Sequence, residues 1–395
     1  MNNVDCSAIQ RRVYLDHSAT TPVRAEVLAV MIPYFSAAFG NASSVHRWGK
    51  EARMGVDLAR EKVAHLIGAN PSEIIFTSGG TEADNLALRG TAYAQKGKGN
   101  HIITTKIEHH AILHTCESLE REGFEVTYVG CDQYGMVDPE DIRAAITPKT
   151  ILMSVMHGQN EVGTIEPVGE IGKIAKERGI VFHTDTVQSP GKIPVNVDDL
   201  NVDLLTLSSH KIYGPKGVGA LYVRKGTRVA PQATGGAHER GLRAGTENVP
   251  GIVGLGEACY LAGKDMPDES ARLAVLRDNL IQGILTTIPE SILNGHPVQR
   301  LPHNVNVSIK YVEGESMLLN LDLMGIGASS GSACTSGSLE PSHVLLAMGM
   351  PHEMAHGSLR MTLGRSTTAE DVDYVVKTLG PIVSHLREMS VFTKP

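Results

Sequence analysis

Between residues 74 and 224 the chain alternates short apolar runs with segments of helical spacing. The runs 74–78, 101–105, 125–129, 150–156, 180–185, 204–209 and 219–224 are bounded by turn residues, and several are rich in Val, Ile and Thr. That pattern predicts strands. Segments 81–95, 109–122 and 168–178 place Ala, Leu and Ile at three- and four-residue intervals, which predicts helices. Strands alternating with helices imply an α/β layer whose largely parallel sheet is covered on both faces. The last two runs are joined by a short Gly/Pro loop and allow an antiparallel pair. From about residue 251 the pattern changes. A long helical stretch, 251–288, precedes candidate strands at 304–309, 327–330 and 358–364 and helices at 315–324 and 369–388. This reads as a smaller α+β domain.

Composition narrows the picture. At 395 residues the chain is long enough for two domains, and its core needs no disulfide or metal staple. Lys and Arg number 36 against 43 Asp and Glu, for a net charge of −7. An acidic chain is a poor general binder of nucleic acid, which attracts clustered positive charge. The N-terminal residues lack the apolar stretch of a secretory signal, and no apolar run reaches the ~18 residues of a spanning helix. A soluble, cytoplasmic protein with no membrane partner is expected. Five scattered cysteines (Cys6, Cys116, Cys131, Cys259 and Cys334) form no CxxC and fit reduced thiols.

Three constellations carry chemistry. In Ser78-Gly79-Gly80-Thr81-Glu82-Ala83-Asp84-Asn85 a strand meets a helix, and Thr81 with Asp84 has capping-box spacing. Glycines there permit close backbone approach, and free N–H groups at a helix start favour phosphate. Taken alone, the commoner meaning is a capped glycine turn. A second strand runs into Asp185, and ligands of α/β sheets gather beyond such carboxyl ends. In the third, Ser208-Ser209-His210-Lys211, a lysine follows a strand, where desolvation can free its amine for Schiff-base chemistry. A helix start for phosphate, an aspartate for a pyridine nitrogen and a lysine for an aldehyde are together the parts of a pyridoxal phosphate site.

At these motifs the sequence resembles the NifS/IscS group of cysteine desulfurases, within the class V aminotransferase-like, fold-type I pyridoxal phosphate enzymes. The resemblance runs from Tyr14-Leu15-Asp16-His17-Ser18-Ala19-Thr20-Thr21-Pro22 through Gly40-Asn41-Ala42-Ser43-Ser44 and the three motifs above. It continues through Arg243-Ala244-Gly245-Thr246-Glu247-Asn248 and Ser330-Gly331-Ser332-Ala333-Cys334-Thr335-Ser336 to Leu359-Arg360-Met361-Thr362-Leu363-Gly364-Arg365. It implies a large domain at 15–255 with a mostly parallel seven-stranded sheet. Residues 1–14 and 256–395 would form a smaller α+β domain carrying the cysteine loop.

The resemblance also implies roles. Lys211 would bond pyridoxal phosphate, Asp185 would pair with its pyridine nitrogen, and Gln188 would hydrogen-bond its phenolate oxygen. Gly80, Thr81, Ser208 and His210 would hold the phosphate, with Thr246 reaching in from the partner subunit of a homodimer; Ser209 and Asn160 would also belong to the cofactor site. His109 would stack on the ring and move protons. Asn160 and Arg360 would hold the carboxylate of L-cysteine, which suits the planar fork of an arginine. Cys334, in a Gly/Ser-rich loop, would take the sulfur as a persulfide and leave alanine. The long stretch after it favours delivery to acceptor proteins, including an iron–sulfur scaffold. Cys334 is also the residue offered as a transient iron–sulfur ligand. The other four cysteines are assigned structural roles.

Competing meanings are a selenocysteine lyase, an aminotransferase, a sulfur-relay component without catalysis, and a metalloenzyme. An aminotransferase needs no nucleophilic thiol, and adjacent His109-His110 is not in itself a metal-ligand spacing.

Overall fold

The computed structural model describes residues 11–330 and 341–389. Strand β1 (Val13–Tyr14) pairs with the small part of the molecule. The next seven strands follow the predicted runs: β2 (Ile74–Thr77), β3 (His101–Thr105), β4 (Glu125–Val129), β5 (Thr150–Ser154), β6 (Val181–Asp185), β7 (Leu204–Ser208) and β8 (Gly219–Val223). They form one seven-stranded sheet in the order β2-β8-β7-β6-β5-β3-β4. Every pairing is parallel except those of β8, which runs antiparallel to both β2 and β7.

Strand periodicity explains why this sheet is buried twice over. Ile74, Phe76, Ile103, Met153 and Leu205 enter one apolar cluster, while their chain neighbours Ile75, Ile102, Leu152 and Leu204 enter another on the opposite face. Helices Gly80–Gln95 and His110–Arg121 cover the second face. Helix Arg47–Ile67 covers the first, with buried Ala52, Val56, Ala59, Val63 and Ile67 at three- and four-residue steps. It was not among the predicted elements.

The remaining strands are β9 (Ser291–Leu293), β10 (Asn304–Ile309), β11 (Ile326–Gly327) and β12 (Ser358–Thr362). An antiparallel sheet of order β12-β10-β9 packs Val305, Val307, Ile309, Leu359 and Met361 against Leu273, Leu276, Leu280 and Ile284. The opposite face of β10 is polar. Asn304 and Asn306 donate to the carbonyl of Glu161 at 3.1 and 3.0 Å, which ties this sheet to the floor of the large one. A 39-residue helix, Val249–Thr287, links the two cores: Ile252, Leu255 and Leu261 lie in one, Leu273 onward in the other. The expected division at 255/256 falls inside it.

Candidate active site

Five strands of the large sheet (β2, β3, β5, β6 and β7) end on the same edge, and the segments that leave them enclose one cavity of about 400 Å³. It is lined by Gly80 and Thr81 after β2, His109 after β3, Asn160 after β5, and Asp185 and Gln188 at the end of β6. Ser208, His210 and Lys211 from β7, with Ser18, Asp84 and Arg360, complete it. The cavity thus lies where ligands of α/β sheets gather. Residues as far apart in the chain as Ser18 and Arg360, 342 positions, share it.

At the β2 end, the helix Gly80–Gln95 starts behind Gly79, whose φ of 157° and ψ of −178° are conformations open to glycine. A Cβ on Gly80 would stand 3.0 Å from Val187 Cγ2 and 3.5 Å from Ser208 Cβ, so the helix start sits tight against the β6 and β7 ends. The expected Thr81/Asp84 capping box does not form. Gly79 is the N-cap, and Glu82 reaches back to accept the Ser78 N–H at 2.8 Å. Asp84 instead points into the interior and lines the cavity. Ser209, expected among the cofactor contacts, is fully buried and is not a lining residue.

Charge at the site is unusual for a protein interior. Asp185 is held by the Val187 N–H at 2.8 Å; burial raises its pKa to about 6, against the opposing pull of that N–H and of the Lys211 ammonium. Asp84 is pushed well above the carboxylate range by burial and then by the charge of Asp185, so it is the member of the pair that keeps a proton. Asp84 Oδ1 lies 3.6 Å from His183 Nε2, but burial takes that imidazole down to about 3, so the contact joins neutral groups. Lys211 Nζ donates to the carbonyls of Ser18 and, at 2.8 Å, of Ala19.

His109 accepts the Ala111 N–H at Nδ1, 3.1 Å away. A backbone N–H can only donate, so the neutral ring carries its proton on Nε2. Burial, followed by repulsion from Lys211, lowers its pKa to about 4. His210 drops likewise to about 4, by burial and the nearby lysines, and its Nδ1 is 3.1 Å from Thr20 Oγ1. Arg360, 3% exposed, donates to the Asn160 carbonyl and to Asp16 Oδ1, each at 3.1 Å, with Nε left unpartnered. Glu161 beneath it is raised by burial to about 7, and Glu108, holding the Thr105 hydroxyl and the Met156 N–H, to about 8.

Among the described cysteines, burial pushes Cys131 up to about 12 and lifts Cys116 and Cys259 further, so these thiols keep their protons. Cys334 and Cys6 lie outside the described residues. Thr246 is exposed and is not a lining residue of this cavity. Among the described residues no set of His, Cys, Asp or Glu has a metal-holding arrangement. Sequence reasoning missed Asp84 as a site residue, and it missed Glu108, Glu161 and Lys192. Asp84 lay within a singled-out motif, and Glu108 and Glu161 each lay beside a singled-out residue, whereas Lys192 carried no local signal.

The chain belongs to the aminotransferase class-V family, whose signature spans residues 13–375. Within that family it groups with the cysteine desulfurases. It is 57% identical over 98% of its length to a protein named cysteine desulfurase IscS from Methanosarcina thermophila, covering 96% of that protein. A namesake from Clostridium botulinum is 55% identical, with 97% of each chain covered. Among solved structures, a NifS-like protein superimposes with a TM-score of 0.90 at 39% identity, covering 95% of this chain and 100% of that one. A second, described as SspA in complex with cysteine, gives 0.80 at 38%, covering 89% and 98%.

Proposed function

We propose that the chain takes sulfur from L-cysteine, leaving L-alanine and a persulfide on its own Cys334, for delivery to acceptor proteins such as an iron–sulfur scaffold. The observation that carries this reading is the meeting of Lys211, Asp185, His109 and Arg360 on one cavity. The groups present fit pyridoxal phosphate: a glycine-lined helix start for the phosphate, a buried carboxylate for the ring nitrogen, and an amine for the aldehyde. When bound, that cofactor supplies an electron-accepting ring joined to the substrate's amine.

The chain's own groups do the rest. Gly80, Thr81, Ser208 and His210 hold the phosphate. Asp185 supplies the negative charge facing the ring nitrogen, and neutral Asp84 beside it adds no second charge. Lys211 Nζ takes a proton from the substrate's Cα and holds it. Arg360 and Asn160 bind the substrate carboxylate, the arginine exchanging Asp16 for it. His109 presents the proton of Nε2 and, neutral at pH 7, does not repel Lys211. The Cys334 thiolate attacks the sulfur of bound cysteine. An S–S bond forms as the C–S bond breaks, its electron pair stays with carbon, and a proton completes alanine.

The exposed apolar side chains Phe35, Phe39, Trp48, Met54 and Leu58 support a homodimer, in which Thr246 serves the partner's cavity. No helix among the described residues is long and apolar enough to cross a membrane, in keeping with a cytoplasmic setting. The test is to supply L-cysteine to the purified protein and measure alanine and protein-bound persulfide. Both are expected in equal amounts, and Cys334→Ser should abolish the persulfide. Persulfide formed by Cys334→Ser at the parent rate would refute the assignment.

A further inference from the structure

Behind the cavity, Lys192 is a basic side chain without a carboxylate; burial, and then the charge of Lys211, lower its pKa to about 7. Among the described residues no Asp or Glu lies within ion-pair distance of it, and its side chain has one hydrogen bond, 3.2 Å to Gln188 Oε1. The groups that face it from neighbouring elements are themselves cationic or basic: His17, His210, Lys211 and His303. Asp265 and Glu269, which line a small void shared with Lys192 and Lys211, are committed to Arg24, Arg365 and Arg272. A half-buried ammonium in such company costs stability unless it serves something else.

What it serves is the orientation of one side chain. Gln188 is 4% exposed, and its carboxamide lies between Lys192 and the Ser18 carbonyl. An ammonium only donates and a carbonyl only accepts, so the amide has a single satisfactory orientation: Oε1 toward Lys192, Nε2 toward Ser18 at 3.0 Å. The Ser18 carbonyl also accepts from Lys211 Nζ. A continuous chain therefore runs from Lys192 through Gln188 and Ser18 to Lys211, and the second N–H of the Gln188 amide is left for the cavity.

We propose that Lys192 is a positioning residue that locks the Gln188 carboxamide with its donor face toward the bound cofactor. This rests on the pyridoxal phosphate reading above, in which Gln188 donates to the ring's phenolate oxygen. A rotated carboxamide would present a lone pair to that anionic oxygen, an unfavourable contact; Lys192, together with the Ser18 carbonyl, opposes the rotation.

The test reads the visible absorption band of the protein loaded with pyridoxal phosphate as a function of pH, without turnover. A donor held at the phenolate favours loss of the proton from the cofactor–lysine linkage. Lys192→Met should therefore move the midpoint of the band's pH transition upward by about one unit, roughly a tenfold change in proton affinity. Lys192→Arg, which keeps a donor, should restore most of it. Gln188→Met should shift the midpoint in the same direction, and adding Lys192→Met to it should change little, because one residue acts through the other. An unmoved midpoint in Lys192→Met, or single shifts that add in the double variant, overturns the proposal. So does failure of both Lys192→Met and Lys192→Leu to fold while Lys192→Arg folds, which assigns the lysine a structural role. A parent protein with no visible band instead defeats the cofactor reading on which the proposal stands.

Discussion

The core under the three-stranded sheet and the cavity at the carboxyl edge of the seven-stranded sheet both bury side chains, but they are built from different residues. Val305, Val307, Ile309, Leu359 and Met361 fill the first with Leu276, Leu280 and Ile284, and the strands between them gain stability by burying apolar area. The second buries Asp84, Glu108, Asp185, Glu161 and Arg360, each of which loses hydration on folding. Exclusion of water adds stability in one region and shifts proton affinities in the other. The cavity is therefore sustained by the cores on either side of it, and its residues can be changed with large effects on chemistry and small ones on folding.

Three substitutions and one pH titration probe that contrast. Lys211→Ala should lower the rate of alanine formation by roughly 1,000-fold or more while leaving the melting temperature near the parent value. Loss of folding together with activity would erase the distinction. Leu280→Ala, deep in the other core, should cost about 2–5 kcal/mol in denaturant unfolding, with turnover per folded molecule unchanged. Arg360→Ala sits between the two. Loss of a charged hydrogen-bonding partner is worth about 1.5–3 kcal/mol, so steady-state kinetics should show kcat/KM for cysteine reduced by roughly 10- to 100-fold, mostly through KM. A change in kcat alone would separate Arg360 from carboxylate binding.

The smallest effect is a pH slope. Glu108 has its pKa raised to about 8 from an ordinary 4.5, so the native state holds a proton that the unfolded chain releases between those values. Its contribution is full below about pH 4.5 and is lost as pH rises through about 8. Glu108→Gln mimics the protonated acid, so its unfolding free energy should fall less steeply over this window than that of the parent protein. Identical slopes in the two proteins would show that Glu108 ionises in the native state as it does in the unfolded chain.

Local information carried most of the large sheet. The run at 101–105 and the strand His101–Thr105 coincide, as do the segment at 168–178 and the helix Val168–Arg178, because apolar periodicity and turn residues both act over short range. Helix Arg47–Ile67 escaped because its buried face is largely alanine and glycine, a weak apolar stripe beside exposed Trp48, Met54 and Leu58. Strand β9 has three residues, too few to show a period. At the site, Asp185 and Lys211 were legible because each terminates or follows a strand. Asp84 was misread from its spacing, because Gly79 takes the capping position and a buried face takes Asp84. Lys192, Glu108 and Glu161 acquire their settings only when distant segments close over them, as when Ser342 donates to Glu161. No spacing rule carries that information.

The central claim is that sulfur leaves cysteine for Cys334. Its most direct test is peptide mass spectrometry of the pyridoxal phosphate-loaded protein after a single turnover with L-cysteine and no acceptor. The account predicts a mass gain of one sulfur atom on the peptide containing Cys334, matched by one equivalent of alanine. Alanine without that gain, or the added sulfur on Cys116, Cys131 or Cys259, would contradict it.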